Sequence, residues 1–497
     1  MSASLPHSLY RSDQVRDGEH KIAADLGVEM YSLMERAGLA VFEVVKDRWP
    51  DAESILVCCG NGNNGGDGYV IARLALEANM SVTLWSVADP SSVSGDALKA
   101  QQKFVAVGGL IVQGTFPDGK YDLVVDAVFG TGLSRDLSGF YLSAVQAINS
   151  LDCPKIAVDL PSGLDADTGH VWGEAVIADC TLSFVGLKQG LFTGKARDYC
   201  GDLLYDGLGI GEEFAANVPA SSTLLMLSEA AELEPKRKSS THKGHTGRVM
   251  CVGGQKGMGG AIILSAQATL RSGAGLVAVL TDESHVPALL ARQPELMVRW
   301  WHENESNEVL NNIFAWANVI AIGPGLGKSM WARKLFEAAV ACECPMVVDA
   351  DALNLLAESP IYRDNWILTP HPGEAANLLR TSTIEIERDR FSAVKELHKR
   401  YGGAVVLKGA GTIVYDGSTL SIIDAGNPGM ASGGMGDVLT GVIAGCLAQM
   451  PLLSASAHFG AYLHSYSADV AGQDRERGLI ASDLLPLLGK NIKQIQR

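Results

Sequence analysis

Residues Ile55–Ala78 read I-L-V-C-C-G-N-G-N-N-G-G-D-G-Y-V-I-A-R-L-A-L-E-A. The apolar, β-branched run Ile55–Cys59 predicts a strand, and Tyr69–Ala78 carries a helical pattern. Between them, Cys59–Gly68 is almost wholly Gly, Asn and Asp. A strand that runs through such a loop straight into a helix opens a parallel α/β unit, in which ligands sit at the carboxyl ends of the strands. Glycines let backbone amides approach a phosphate, and the following helix N-terminus favours an anion. Asn63, Asn64, Gly65, Gly66 and Asp67 are therefore candidate ligand contacts. A purely structural turn is the competing reading. It is weakened by three polar side chains crowded into one turn, since each needs a partner.

The same alternation of short apolar runs and helical patterns extends outward. Strands are expected at Val82–Val87, Leu123–Val128, Ile156–Leu160 and Thr181–Val185, with a helix over Tyr141–Ser150. Near-continuous apolar strands are what a sheet covered on both faces requires. After Ile210 the composition shifts. The stretch from Gly211 to Ser222 is small and polar without a strand pattern, and Glu234–Lys243 is charged and Ser/Thr-rich. Alternation then restarts, with strands expected at Arg248–Val252, Leu276–Leu280, Val319–Ile322, Met346–Val348, Trp366–Leu368 and Ala404–Leu407, and helices after Asp437. The reading is α/β with two domains, 1–218 and 226–497.

At 497 residues the chain is too long for one ordinary core. Hydrophobic content of 47% and charged content of 19% exclude a disordered chain. A net charge of −16 without a long basic run argues against nucleic-acid or membrane partners. Bound anions must be held locally, by amides and helix N-termini. The nine Cys form no C-x-x-C pair, which fits a reducing cytosol and cysteines acting as small buried hydrophobes. Met1–His20 has no apolar signal segment. The protein is read as soluble and cytoplasmic, and sheet-based domains of this kind lead us to expect a homo-oligomer.

Two further strand ends carry chemistry. Leu123–Val128 contains Asp126 and runs into F-G-T-G-L-S-R-D (Phe129–Asp136); Ile156–Leu160 contains Asp159 and runs into P-S-G-L-D (Pro161–Asp165). Burying an unpaired Asp is costly. Two of them beside Asn64 and Ser162 make an all-oxygen set suited to a hard cation. Each Asp alone could instead be a helix N-cap. Together, G-N-G-N-N-G-G-D-G, V-D-A-V-F-G-T-G and V-D-L-P-S-G-L-D resemble the NAD(P)H-hydrate epimerase domain over roughly residues 9–210. The resemblance implies a Rossmann-like three-layer α/β/α fold. It implies substrate contacts from Asn63, Asn64, Gly65, Gly66 and Asp67, and from Gly130, Thr131, Gly132, Leu133, Ser134, Arg135 and Asp136. It further implies a potassium ion held by Asn64, Asp126 and Ser162. Asp159 matches a substrate contact and is the leading candidate for proton transfer. Lys188, in F-V-G-L-K-Q-G, is either its partner or a solvated surface lysine.

In the second half, Asn427–Asp437 reads N-P-G-M-A-S-G-G-M-G-D and enters a helix expected over Val438–Gln449. Glycine-rich backbone at a helix N-terminus forms an anion hole, and Asp437 is placed to act as base for phosphoryl transfer to a hydroxyl. An N-capping Asp is the alternative. Three loops follow probable parallel strands: G-P-G-L-G (Gly323–Gly327), T-P-H-P-G-E (Thr369–Glu374) and K-G-A-G-T (Lys408–Thr412). Together with V-D-A-D-A-L-N (Val348–Asn354) they resemble the ribokinase-like superfamily, and within it the ADP/ATP-dependent NAD(P)H-hydrate dehydratases, over about residues 226–497. The resemblance implies hydrate binding by Ala261, Gly325, His371 and Asp437. It implies adenine-nucleotide binding by Lys408, Gly409, Ala410, Gly411, Thr412 and Gly436, with magnesium accompanying ADP.

The function expected is repair of hydrated NAD(P)H. Epimerisation at C6 would be followed by dehydration of the S epimer, coupled to conversion of ADP into AMP and phosphate. Two alternatives stay open: a ribokinase-like small-molecule kinase, and a non-catalytic N-terminal binding module.

Overall fold

The structure is a computed structural model that describes residues 5–233, 237–450, 452–473 and 476–495. Residues 1–4 of the N-terminal segment and 234–236 of the charged stretch lie outside the described residues. The chain separates into two compact units, Met1–Thr223 and Leu224–Arg497.

The first unit is built on a seven-stranded parallel sheet. Its strands run in the order Ile111–Gln113, Ser81–Ser86, Ser54–Cys59, Leu123–Ala127, Lys155–Val158, Cys180–Phe184, Asp202–Asp206. From Ser54–Cys59 the chain winds to one side, then returns to lay Leu123–Ala127 on the other. The topological switch point thus falls between Cys59 and Ala127, which are register partners. The edge strands Ile111–Gln113 and Asp202–Asp206 escape the sequence pattern, because an edge strand half-facing solvent lacks the continuous apolar run of a buried one. Gly211–Ser222, which shows no strand pattern, contains the helix Gly211–Asn217 and opens the strand Ser222–Leu225. The helix is held by Phe214, fully buried and edge-on to Tyr10.

The helix after the first glycine-rich loop starts earlier than its apolar pattern, at Asn63 rather than Tyr69. Asn63–Asp67 therefore form its first turn, and Gly62 is its N-cap. Gly65 serves close packing, because a Cβ there would lie 2.1 Å from the Gly60 carbonyl oxygen. A short N-terminal strand, Ser8–Tyr10, pairs antiparallel with Ser222 and Thr223, and parallel with Leu187–Lys188.

In the second unit the strands run Met297–Arg299, Leu276–Leu280, Arg248–Val252, Val319–Ile322, Met346–Val348, Trp366–Leu368, Ala404–Leu407, Ile413–Tyr415, Leu420–Ile423. Neighbours pair in parallel as far as Ala404–Leu407, and the last two strands fold back antiparallel. The switch point lies between Arg248–Val252 and Val319–Ile322. The helix Met435–Leu447 is buried almost throughout and packs on Gly259–Arg271. It is followed by Leu453–Gly472 and Ala481–Ile495.

All nine cysteines are free. Six are buried, but Cys153, Cys342 and Cys344 are only partly covered, which corrects the expectation that all nine fill the core. These three lie where the chain leaves or enters elements, between a helix and the next strand, rather than inside a covered strand or helix face.

Gly65→Ala forces a backbone clash at 2.1 Å, whereas a Cβ on Gly62 meets nothing within 4 Å. We expect Gly65→Ala to destabilise the first unit by about 2 kcal/mol, as overpacking does. Gly62→Ala should be near neutral, and urea unfolding of the full chain measures both.

Candidate active sites

In the first unit a cavity of about 460 Å³ opens at the strand carboxyl ends, on the switch point. Asn63, Asn64 and Asp67 line it from the helix turn, Gly130–Leu133 from the next strand-end loop, and Asp159 and Lys188 from beyond. Gly65 and Gly66 do not line it, nor do Ser134, Arg135 and Asp136. A Cβ on Gly65 would meet the Gly60 carbonyl and one on Gly66 the Met34 side chain, so both glycines serve packing, and Ser134, Arg135 and Asp136 are exposed to solvent.

Asp126, fully buried, is not a helix cap. Its Oδ2 accepts from the Ser162 backbone N–H at 2.7 Å, and its Oδ1 accepts from the Ser162 hydroxyl at 2.6 Å. Burial still pushes its carboxyl up to about 6, against those hydrogen bonds. Ser162 Oγ in turn accepts from the Phe129 N–H at 2.8 Å, which ties the two loops together. Asn64 is buried nearby, and a Cβ on Gly130 would lie 3.3 Å from Asn64 Cβ. Its Nδ2 is buried without a hydrogen-bond partner among the described residues.

Asp159 sits immediately after the strand Lys155–Val158 with φ 68°, a left-handed conformation unusual for a side chain larger than glycine's hydrogen. Such strain persists only where surrounding structure holds it. Here the Asp159 N–H donates to the Leu182 carbonyl at 2.9 Å. Its Oδ1 accepts from the Phe184 N–H at 3.2 Å and from the Lys188 ammonium. The Lys188 side chain is 2% exposed, so the surface-lysine reading is overturned. Lys188 also donates to the Phe184 carbonyl at 3.1 Å, and its strand is pinned by Tyr10 as register partner.

Sequence reading missed Glu19, which lines the same cavity from the helix Ser12–Asp25. Burial, eased by Lys188 and worsened by Asp159, pushes its carboxyl up to about 7. Asp67 is driven well above the ordinary carboxylate range, by burial first and then by Asp159 and Glu19. No glycine-rich motif marks Glu19. The only signal was an acid on an apolar helix stripe.

In the second unit Gly323, Asp349 and Thr369 follow strand ends in register, and Lys408, after the next strand, donates its backbone N–H to the Pro370 carbonyl at 2.9 Å. Gly323 has φ 134°, and a Cβ there would lie 1.8 Å from the Asp349 carbonyl oxygen, so only glycine fits. Asp349 is the hub, although nothing local in V-D-A-D-A-L-N marks it for that role. Its Oδ1 meets the Lys408 ammonium at 2.7 Å and its Oδ2 accepts from the Thr440 hydroxyl at 2.6 Å. Lys408 also lies 3.5 Å from Glu374. Gly436 gives it room, since a Cβ there would be 3.3 Å from Lys408 Nζ.

Asp437 stands in the first turn of Met435–Leu447, but the N-cap is Gly434, with no side-chain cap bond, so the capping reading fails. Burial, with Asp349 next, pushes the Asp437 carboxyl up to about 7, while Lys408 opposes. Gly325 and Ala261 are neighbours, and a Cβ on Gly325 would lie 3.3 Å from that of Ala261. His371 caps the helix Pro372–Leu379, its Nδ1 accepting from the Gly373 N–H at 3.0 Å. That leaves Nε2 as the donor nitrogen, 3.5 Å from Glu374 Oε1 on a side chain that is more than half exposed. In the loop Lys408–Thr412, Gly409 adopts φ 145° and Thr412 Oγ1 donates to its carbonyl at 3.1 Å.

Two α/β units, each with acidic groups gathered at the strand ends and glycine-rich loops opening helices, define a double-site enzyme handling phosphate-bearing metabolites. Residues 249–490 match the family described as NAD(P)H-hydrate dehydratase, and residues 30–190 match the YjeF-related protein N-terminus. The bifunctional NAD(P)H-hydrate repair enzyme Nnr of Coxiella burnetii is 45% identical over 485 residues, covering 97% of this chain and 98% of that one. The Escherichia coli enzyme of the same name is 44% identical, covering 98% and 94%. The chain belongs to the family of bifunctional NAD(P)H-hydrate repair enzymes. Among solved structures, a ribokinase-like superfamily protein from Enterococcus faecalis is 31% identical with a TM-score of 0.51, covering 55% of this chain and 96% of that chain. A Streptococcus mutans protein is 29% identical with a TM-score of 0.52, covering 55% and 100%. Among the described residues no helix is long and apolar enough to cross a membrane.

Lys188→Met should abolish epimerisation and leave Asp159 without its cation. Removing one partner of a buried pair costs about 3 kcal/mol or more. Urea unfolding reads the loss, and dehydration of the S epimer should be unaffected.

Proposed function

We propose that the first unit inverts C6 of hydrated NAD(P)H and that the second dehydrates the S epimer, using ADP. The observation that carries the second assignment is Asp437, an uncapped carboxylate at the start of a buried helix, facing the Asp349–Lys408 pair. Asp437 takes the proton of the C6 hydroxyl as the β-phosphoryl group of ADP moves to that oxygen, leaving AMP. Phosphate then departs from C6, a proton leaves C5, and the C5=C6 double bond returns. Ala261, Gly325 and His371 Nε2 contact the hydrate. Lys408–Thr412 and Gly436 contact the nucleotide. Among the described residues no three acidic or His/Cys groups form a ready cage. Magnesium would come in on the nucleotide phosphates, with Asp349 and Glu374, both beside Lys408, as its carboxylate neighbours.

In the first unit Asp159 is a proton-transfer group for the inversion at C6, and Lys188 holds Asp159 in place. Asn64, Asp126 and Ser162 fit a potassium ion. The donors are oxygens, and half a turn of the buried Asn64 amide would present Oδ1 where Nδ2 now lacks a partner. When bound, the ion would supply positive charge beside the Asp126 carboxylate and tie the loops. The enzyme acts in the cytoplasm, where nine free cysteines stay reduced, and it self-associates, as sheet-based domains often do.

A mixture of R and S NADH-hydrate with magnesium, potassium and ADP tests this reading. Both epimers should return to NADH with AMP formed, beyond an enzyme-free control. Recovery that halts at the S fraction removes the epimerase role, and no recovery with ADP or ATP removes the dehydratase role. The base must be ionised, so dehydration should fall as pH drops below about 7. Asp349→Asn, by removing a negative neighbour, should move that limb to lower pH. Lys408→Met, by removing a positive one, should move it higher. A pH profile of kcat/KM that ignores both changes excludes Asp437 as the base.

A further inference from the structure

The helix Ser12–Asp25 buries Val15, Gly18, Ile22 and Ala23. Glu19 falls on that stripe, four residues after Val15 and three before Ile22. The face is pressed tightly inward, and a Cβ on Gly18 would lie 2.6 Å from the Phe214 ring. Val15 packs on the turn leading to Lys188, where a Cβ on Gly186 would lie 3.1 Å from it. An acid on such a stripe is unfavourable unless it is paired or used. Among the described residues no hydrogen bond or ion pair reaches the Glu19 side chain. It opens instead into the cavity that holds Asp159 and Lys188.

We propose that Glu19 is a second acid–base residue of the epimerase cavity, protonating the C6 hydroxyl as it leaves. This rests on the reading of Asp159 as the other proton-transfer group. The C6 carbon carries both the hydroxyl and N1. With a proton from Glu19 the hydroxyl departs as water, the C6–O electron pair going to oxygen while the N1 lone pair forms N1=C6. A water then adds to the opposite face. Its oxygen bonds C6, its proton passes to Asp159, and the N1=C6 π pair returns to N1. Exchange through cavity water carries the proton from Asp159 back to Glu19.

The charge arrangement favours this division. Asp67, on the helix Asn63–Glu77, Asp159 and Glu19 face a single ammonium, Lys188, which is already committed to Asp159 and the Phe184 carbonyl. Arg16 and His20 on the helix of Glu19, and Asp96, also line the cavity. Carboxylates short of counter-charge keep protons. Glu19, pushed up to about 7, can therefore donate one near neutrality.

The test uses the full chain without ADP, so that only epimerisation runs, in water enriched in oxygen-18. Glu19→Gln should lower kcat for inversion by about 100-fold, the scale of general acid catalysis, with KM little changed. Glu19→Asp should recover part of the rate and retain the wild-type form of the pH profile. Dehydration of S-hydrate with ADP and the urea midpoint, both unchanged in Glu19→Gln, separate a chemical defect from misfolding. Each wild-type inversion should place one oxygen-18 at C6. Wild-type inversion by Glu19→Gln, or inversion without label, overturns the proposal. Asp159→Asn distinguishes the two readings. If it is inactive while Glu19→Gln is fully active, Asp159 stands and Glu19 falls. If it is fully active while Glu19→Gln is slow, Glu19 stands and Asp159 falls.

Discussion

An ionised carboxylate removed from water costs several kcal/mol unless a cation or hydrogen-bond donors meet it. Both units are organised around that constraint. Asp159 is met by Lys188 and a backbone N–H, and Asp349 by Lys408 and Thr440. Each pair sits just past the end of a parallel strand, where helices no longer cover the sheet. The pairs hold their loops in place, and the loops define the sites.

Not every acid is met. Asp437 and Glu19 lie beside already satisfied pairs, and burial raises both to about 7. A structure that left these groups half-buried by accident would lose stability without gain. Acid–base chemistry is the use to which such groups are suited, because a group that titrates near the working pH can both give and take a proton. The two units reach the same device from different elements. In one the acid comes from the first turn of a buried helix, and in the other from the inward stripe of an N-terminal helix.

The glycines have two roles that sequence reading merged. Gly323 and Gly65 are required because neighbouring backbone occupies the space of a side chain. Gly62 faces open space and lines the first unit's cavity. Composition marks both kinds alike. Only the folded chain separates them, because the obstructing atom belongs to a residue that is distant in sequence or turned back by the loop. The same applies to Glu374, whose contacts with His371 are local, yet whose carboxylate lies 3.5 Å from Lys408 at a distant strand end.

The internal parallel strands and the helix-opening loops were legible in the sequence, because strands covered on both faces must be continuously apolar and tight loops must be glycine-rich. Asp126 and Asp159 stood out as charges at the ends of apolar runs, and Asp437 as an acid closing a glycine-rich loop at a helix start. The edge strands Ile111–Gln113 and Asp202–Asp206 did not stand out, since half their side chains face solvent. Nor did the roles of Lys188, Asp349 and Glu19. A lysine that is buried and one that is solvated look identical in a sequence, and only the pairing of Tyr10 with Lys188, across most of the first unit's length, decides between them. Local pattern sets which segments form strands and helices, because propensity and periodicity act over a few residues. Long-range packing decides which charges meet, because Coulomb interactions depend on distance in space, which chain separation does not specify.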